Sequence, residues 1–166
     1  DENNGGIIGL KDLNYWLAKM VPGADFKICV LEENSGNHAI RRALGHAHAI
    51  NELERLGNIV PVVCCANCLQ PYRQNDNGWD QGLLFLTPSQ VWGQPPYYVT
   101  QMVANNYLPL CIKTEVTSPN SALDVTACKS EDGKRLTIKV VNMDNKPIKT
   151  AIAFAGYKPP AGQPVR

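Results

Sequence analysis

Two continuous apolar runs, "ICVL" at residues 28–31 and "IVPVVCCA" at residues 59–66, flank one long helical pattern, "NHAIRRALGHAHAINELERLG". No other feature constrains the chain as much. Strands that are apolar without alternation suit a parallel sheet covered on both faces. Parallel neighbours need a crossover, and the intervening helix supplies one. Ile40, Leu44, Ala47, Ile50 or Asn51, and Leu53 make its apolar stripe. Asn37 is a candidate N-cap and Gly57 a C-terminal stop. Residues 27–31 and 59–66 are therefore expected to pair in parallel through a helix over 38–56.

The flanking segments extend this grammar. "IIGLKDLNYWLAKMVPG" places Ile8, Leu13, Trp16, Leu17 and Met20 at helical spacing, ended by Pro22-Gly23. "LQPYRQNDNGWDQG" is too long for a plain turn and reads as a functional loop. "LLFLT" is a short extended piece, and "PPYYVTQMVANNY" a third helix entered through proline. From about Leu108 the pattern changes. "PLCIKTEVTS", "ALDVTACKS", "RLTIKVVNM" and "IKTAIAFAG" read as short strands separated by the turn signals "SPNS", "EDGK" and "DNKP". The expected fold class is α/β followed by all-β: a β/α unit over residues 1–107 and an antiparallel sandwich from residue 108 to 166.

Composition narrows the function. Of the 166 residues, 44% are hydrophobic and 19% charged, and the formal net charge is +1. Lys and Arg are scattered, which argues against a nucleic-acid face. No apolar run approaches the length of a membrane span, and "DENNGG" is not a signal peptide. The six cysteines are not spaced as a disulfide framework, and Cys29, Cys64 and Cys65 lie in apolar runs where buried thiols are expected. Cys65-Ala66-Asn67-Cys68 lacks a second pair at ligand spacing. His46 and His48 are two apart on a helix and do not share a face, and His38 lies in its first turn. Surface or packing roles are expected for all three, with no metal site and no cofactor.

The first strand ends in Glu32 and Glu33. In a parallel barrel, reacting groups stand at strand C-terminal ends. Adjacent strand residues point to opposite sides, so one carboxylate is expected to face a site and the other the helices or solvent. A solvated pair capping the next helix is the plainer alternative. In the long loop, Trp79 can stack on a sugar face and Gln81 can hydrogen-bond hydroxyls in both directions.

"VLEEN", the long helix, "NIVPVVCCANCLQ", "GWDQGLLFL" and "PPYYVTQMVANN" together resemble the C-terminal part of family 51 glycoside hydrolases, the α-L-arabinofuranosidases. The order and spacing match over roughly residues 26 to 156. The resemblance implies the last two β/α units of a (β/α)8 barrel and part of a C-terminal β-sandwich. It implies Glu32 as nucleophile and Gln81, with Trp79 beside it, as contacts to bound arabinose. Glu33 stands where the family usually has an aromatic residue. The implied activity is retaining hydrolysis of terminal α-L-arabinofuranosyl residues from a polysaccharide such as arabinan or arabinoxylan. Such an enzyme needs a second carboxyl as acid/base. Glu52 and Glu54 in a helix and Asp76 and Asp80 in a polar loop are poor substitutes. The chain is therefore expected to be a fragment, inactive alone, that associates through exposed barrel edges. Another barrel glycosidase such as a xylanase, or a non-catalytic carbohydrate- or partner-binding domain, are the competing readings.

Overall fold

The computed structural model describes residues 10–34, 39–74, 81–117 and 122–156. Helix α1 (Leu10–Met20) precedes strand β1 (Cys29–Glu33), helix α2 (Ile40–Arg55) and strand β2 (Val62–Cys65). β1 and β2 pair in parallel, with Cys29 opposite Val62 and Val30 opposite Val63. The expected βαβ unit is thus formed. Helix α2 stops as its sequence requires: Leu56 caps it, and Gly57 follows at φ +58°, a conformation that favours glycine. The expected N-cap, Asn37, lies outside the described residues; the observed N-cap is Ala39.

Strand β3 (Leu69–Pro71) runs parallel to β4 (Leu84–Leu86), which pairs antiparallel with β5 (Val91–Gly93). β3 takes up the start of the segment expected to be loop, and β5 has no counterpart in the sequence reading. The turn between β4 and β5 is held by Thr87, whose Oγ1 accepts from the backbone N–H of Gln90 at 3.1 Å. Phe85 is buried and stacks at 6.0 Å on Trp92, with Tyr72 edge-on to both rings. Helix α3 (Pro95–Asn105) follows with proline in its first turn and packs against α2.

Strands β6 (Leu110–Ile112), β7 (Leu123–Lys129) and β8 (Leu136–Asn142) form an antiparallel sheet. Its cover among the described residues is α2, which packs on β7 and β8. A polar seam fixes that contact. Asn51 Nδ2 donates to Asp124 at 2.8 Å, Arg55 donates to Asp124 and Thr126 at 2.7 and 2.8 Å, and Thr126 Oγ1 donates to the Asn51 carbonyl at 3.3 Å. The fourth expected strand, 148–156, is not formed. That segment has no ladder partner among the described residues and is exposed through residues 149–156, so its alternating pattern alone does not make it a strand.

The face of β1 and β2 turned away from the helices is open. Leu31 is 72% exposed, Val62 is 41% exposed, and Cys29 and Cys64 are exposed beside them. This corrects the expectation of buried thiols at Cys29 and Cys64. A continuous apolar strand needs cover on both sides, and among the described residues only the helix side has it.

Candidate active site

The end of β1 carries the site. Val30 pairs with Val63, but the next partner of Cys65 is Glu33, so β1 uses three steps where β2 uses two. This extra residue is a bulge, and it resets which face each carboxylate occupies. Glu33 comes to lie on the face of Val30, Val63 and Cys65, toward the helices. Glu32 is exposed and is not part of that inner cluster.

Glu33 is tied down. Its Oε2 lies 2.5 Å from Nδ1 of His46, a buried histidine of α2. Nε2 of His46 lies 2.9 Å from Thr100 Oγ1 on α3. Thr100 spends its own proton on the Pro96 carbonyl at 3.1 Å, so its oxygen accepts from His46 Nε2–H. One side chain thereby joins β1, α2 and α3. His46 has the packing role expected of it, while His48 looks the other way, with Nδ1 3.1 Å from Asp124.

Asn34 Nδ2 donates to Glu32 Oε1 at 3.4 Å, and Asn34 Oδ1 accepts from Arg42 Nη2 at 3.4 Å. Arg42 is 1% exposed, and the same Nη2 donates to the backbone carbonyl of Gln81. The N–H groups of Gln81 and Gly82 donate to Oε1 of buried Gln70 at 3.0 and 2.7 Å. The backbone of Gln81 is thus gripped on both sides, by Gln70 on its N–H and Arg42 on its C=O. Gly82 is required in this grip: a Cβ there would meet Cβ of Gln70 at 2.5 Å.

The structure therefore links two of the predicted site residues, Glu32 and Gln81, through Asn34 and Arg42. Trp79 lies outside the described residues. Sequence reasoning missed Arg42, Asn34 and Gln70. The available signal was the i, i+4 pair Arg42 and His46, two polar side chains one turn apart on what should be the buried side of α2.

Glu33, His46 and Cys65 each offer a ligand atom, all within 4.8 Å of one another. The chemistry there is against a cation. Both His46 ring nitrogens are already engaged, and the Cys65 thiol donates to Asn34 Oδ1 at 3.7 Å. Burial, with the Glu33 carboxylate next in weight, pushes the Cys65 thiol up, so it is held protonated and a poor ligand. His48, Glu52 and Asp124 form a second such group, but Asn51 and Arg55 already occupy the Asp124 oxygens.

No family model matches the sequence, and no curated protein matches it. Solved structures do match. An arabinose-bound α-L-arabinofuranosidase, MgGH51, superposes with a TM-score of 0.56 at 18% identity, over 69% of this chain and 17% of that one. The arabinose complex of the α-L-arabinofuranosidase from Thermotoga maritima superposes with a TM-score of 0.55 at 21% identity, over 80% of this chain and 33% of that one. The chain spans no more than a third of either. At these identities the likeness is one of fold, and in fold this chain resembles part of the α-L-arabinofuranosidases of glycoside hydrolase family 51.

Proposed function

We propose that this chain is the C-terminal part of a retaining α-L-arabinofuranosidase. In this reading, residues 1–107 supply the last two β/α units of a (β/α)8 barrel, and the segment from residue 108 begins a β-sandwich. The observation that carries the reading is the bulge in β1. It sends Glu33 into the helix layer against His46 and leaves Glu32 outside that cluster, at a strand C-terminal end, where barrel enzymes place their reacting groups. The open face beside it, with Leu31 and Val62, is the face that further barrel strands would cover.

In the mechanism, Glu32 attacks the anomeric carbon of a terminal arabinofuranosyl unit. A second carboxyl protonates the leaving oxygen and then activates the water that releases arabinose. That carboxyl is proposed to come from a barrel strand outside residues 1–166. Asn34 donates to Glu32 and so orients its carboxylate. Gln81, its backbone fixed by Gln70 and Arg42, presents its amide to the sugar hydroxyls, and Trp79, outside the described residues, is the proposed second contact to the sugar. The substrate class is an arabinose-containing oligo- or polysaccharide, and no cofactor enters the reaction.

The test is an aryl α-L-arabinofuranoside assay on two samples. Residues 1–166 alone are expected to give no turnover, and the parent enzyme containing them is expected to be active with net retention of configuration. Inversion by the parent, or turnover by the isolated chain that is abolished in Glu32→Ala, would contradict the proposal. Polysaccharide binding by a parent that hydrolyses nothing would favour a binding domain instead.

A further inference from the structure

Strands β6 and β7 set Cys111 directly opposite Cys128. Directly opposed residues of an antiparallel pair share a face, with Cα atoms about 4.5 to 5.5 Å apart. A disulfide spans Cα separations of about 4.4–6.8 Å, so this register meets the Cα spacing that one requires. The Cys111 thiol is close enough to Cys128 to act on it electrostatically. Both are free, Cys111 exposed and Cys128 buried at 4% exposure. The other opposed pairs of this sheet, such as Leu110 with Lys129 and Ile112 with Ala127, have no such chemistry.

We propose that Cys111 and Cys128 are a site of reversible cross-strand disulfide formation, made by exchange with a small-molecule disulfide such as oxidised glutathione. The exposed Cys111 thiolate attacks one glutathione sulfur. The glutathione S–S bond breaks, a mixed disulfide forms at Cys111, and one glutathione leaves as thiolate. Cys128 then loses its proton to solvent and attacks the Cys111 sulfur, expelling the second glutathione. Two protein thiols are oxidised to one disulfide, and one glutathione disulfide is reduced to two thiols.

The surroundings of Cys128 set the pace of the second step. Burial first, and then the Glu54 carboxylate of α2 and the Cys111 thiol of β6, push the Cys128 thiol up to about 11, with Lys139 of β8 working in the opposite direction. Its S–H points to Glu54 Oε2 at 4.0 Å. Ring closure is therefore slow near neutrality and accelerates as the pH rises toward that value. The bond would tie β6, which leads out of α3, to β7, on which α2 packs.

The test treats the full 166-residue chain with oxidised glutathione at pH 7 and at pH 9, followed by peptide mapping without reduction. The proposal expects a peptide cross-linked through Cys111 and Cys128, formed faster at pH 9 and released by dithiothreitol. It expects the oxidised chain to melt roughly 5 °C higher than the reduced one, because a cross-link restricts the unfolded chain. Cys128→Ser should stop at a stable glutathione adduct on Cys111, and Glu54→Gln should close the bridge several-fold faster than the parent chain. Cys111 ending instead in a bridge to another cysteine, or in a glutathione adduct that persists while Cys128 is present, would overturn the proposal.

Discussion

Nδ1 of His46 and Oε2 of Glu33 lie 2.5 Å apart, fastening the inner face of α2 to the end of β1. Each partner is enclosed, with the His46 side chain 3% and the Glu33 side chain 12% exposed. Removing one partner leaves the facing atom of the other buried and unpaired. Glu33→Ala is expected to destabilise the fold by about 3 kcal/mol, and Glu33→Gln by less, because the amide still bonds the ring. Urea denaturation of the two variants at pH 7 checks this. Equal stability of Glu33→Ala and the parent would mean that the contact contributes nothing to holding the helix layer.

Arg42 links the strand that carries Glu32 to the loop that carries Gln81. Arg42→Met keeps much of the packing and deletes both hydrogen bonds. In the parent enzyme it is expected to raise KM for an aryl arabinofuranoside about tenfold, because Gln81 loses its position before the sugar arrives. Arg42→Lys keeps a cationic donor but without the planar guanidinium geometry, and should fall between. Steady-state kinetics on both variants measure the effect.

Gly82 leaves no room for a Cβ, since Gln70 Cβ would stand 2.5 Å away, within side chains that also bind the Gln81 backbone. Gly82→Ala is expected to cost about 2 kcal/mol through forced displacement of Gln70. The same variant should lose affinity for arabinose in the parent enzyme. Thermal melting and arabinose titration test the two halves of this statement.

Asp124 gives the fold an acid limit. Burial acts to raise its carboxyl, but hydrogen bonds from Asn51 and Arg55, the nearby His48 ring and the charge of Arg55 outweigh it and hold the group below its usual value. A carboxyl depressed in the folded state stabilises above its unfolded value of about 4, and that contribution is lost as the pH falls through the lower folded value. Asp124→Asn is expected to cost about 2 kcal/mol at pH 7 and to become indistinguishable from the parent well below pH 4. Urea titrations from pH 2 to pH 7 follow the difference.

The βαβ unit and the C-terminal limit of its helix were legible because apolar periodicity and Gly57 act locally. So was the antiparallel grammar of residues 122–143, where turn residues and alternation agree. What pairing decides was not legible. The bulge that separates Glu32 from Glu33 exists because β2 offers one residue fewer, a fact of register that β1 alone does not carry. The segment 148–156 alternates like a strand but forms no strand ladder among the described residues, and Cys29 and Cys64 look like core residues on a sheet whose second face is uncovered among those residues. β5 was missed because a three-residue strand has almost no periodicity, although Thr87-Pro88-Ser89 marks its turn. Arg42 and Gln70 were missed because their roles are contacts made across the fold.

The central claim, that Glu32 is the nucleophile and Glu33 a helix-layer anchor, is tested most directly by trapping the covalent intermediate. The parent enzyme is incubated with a slow α-L-arabinofuranosyl substrate whose glycosyl-enzyme accumulates, then digested and sequenced by mass spectrometry. The account predicts an arabinosyl ester on Glu32, and its absence in Glu32→Ala together with a fall in kcat of several orders of magnitude. An ester on Glu33, with Glu32→Ala still forming it, would contradict the account.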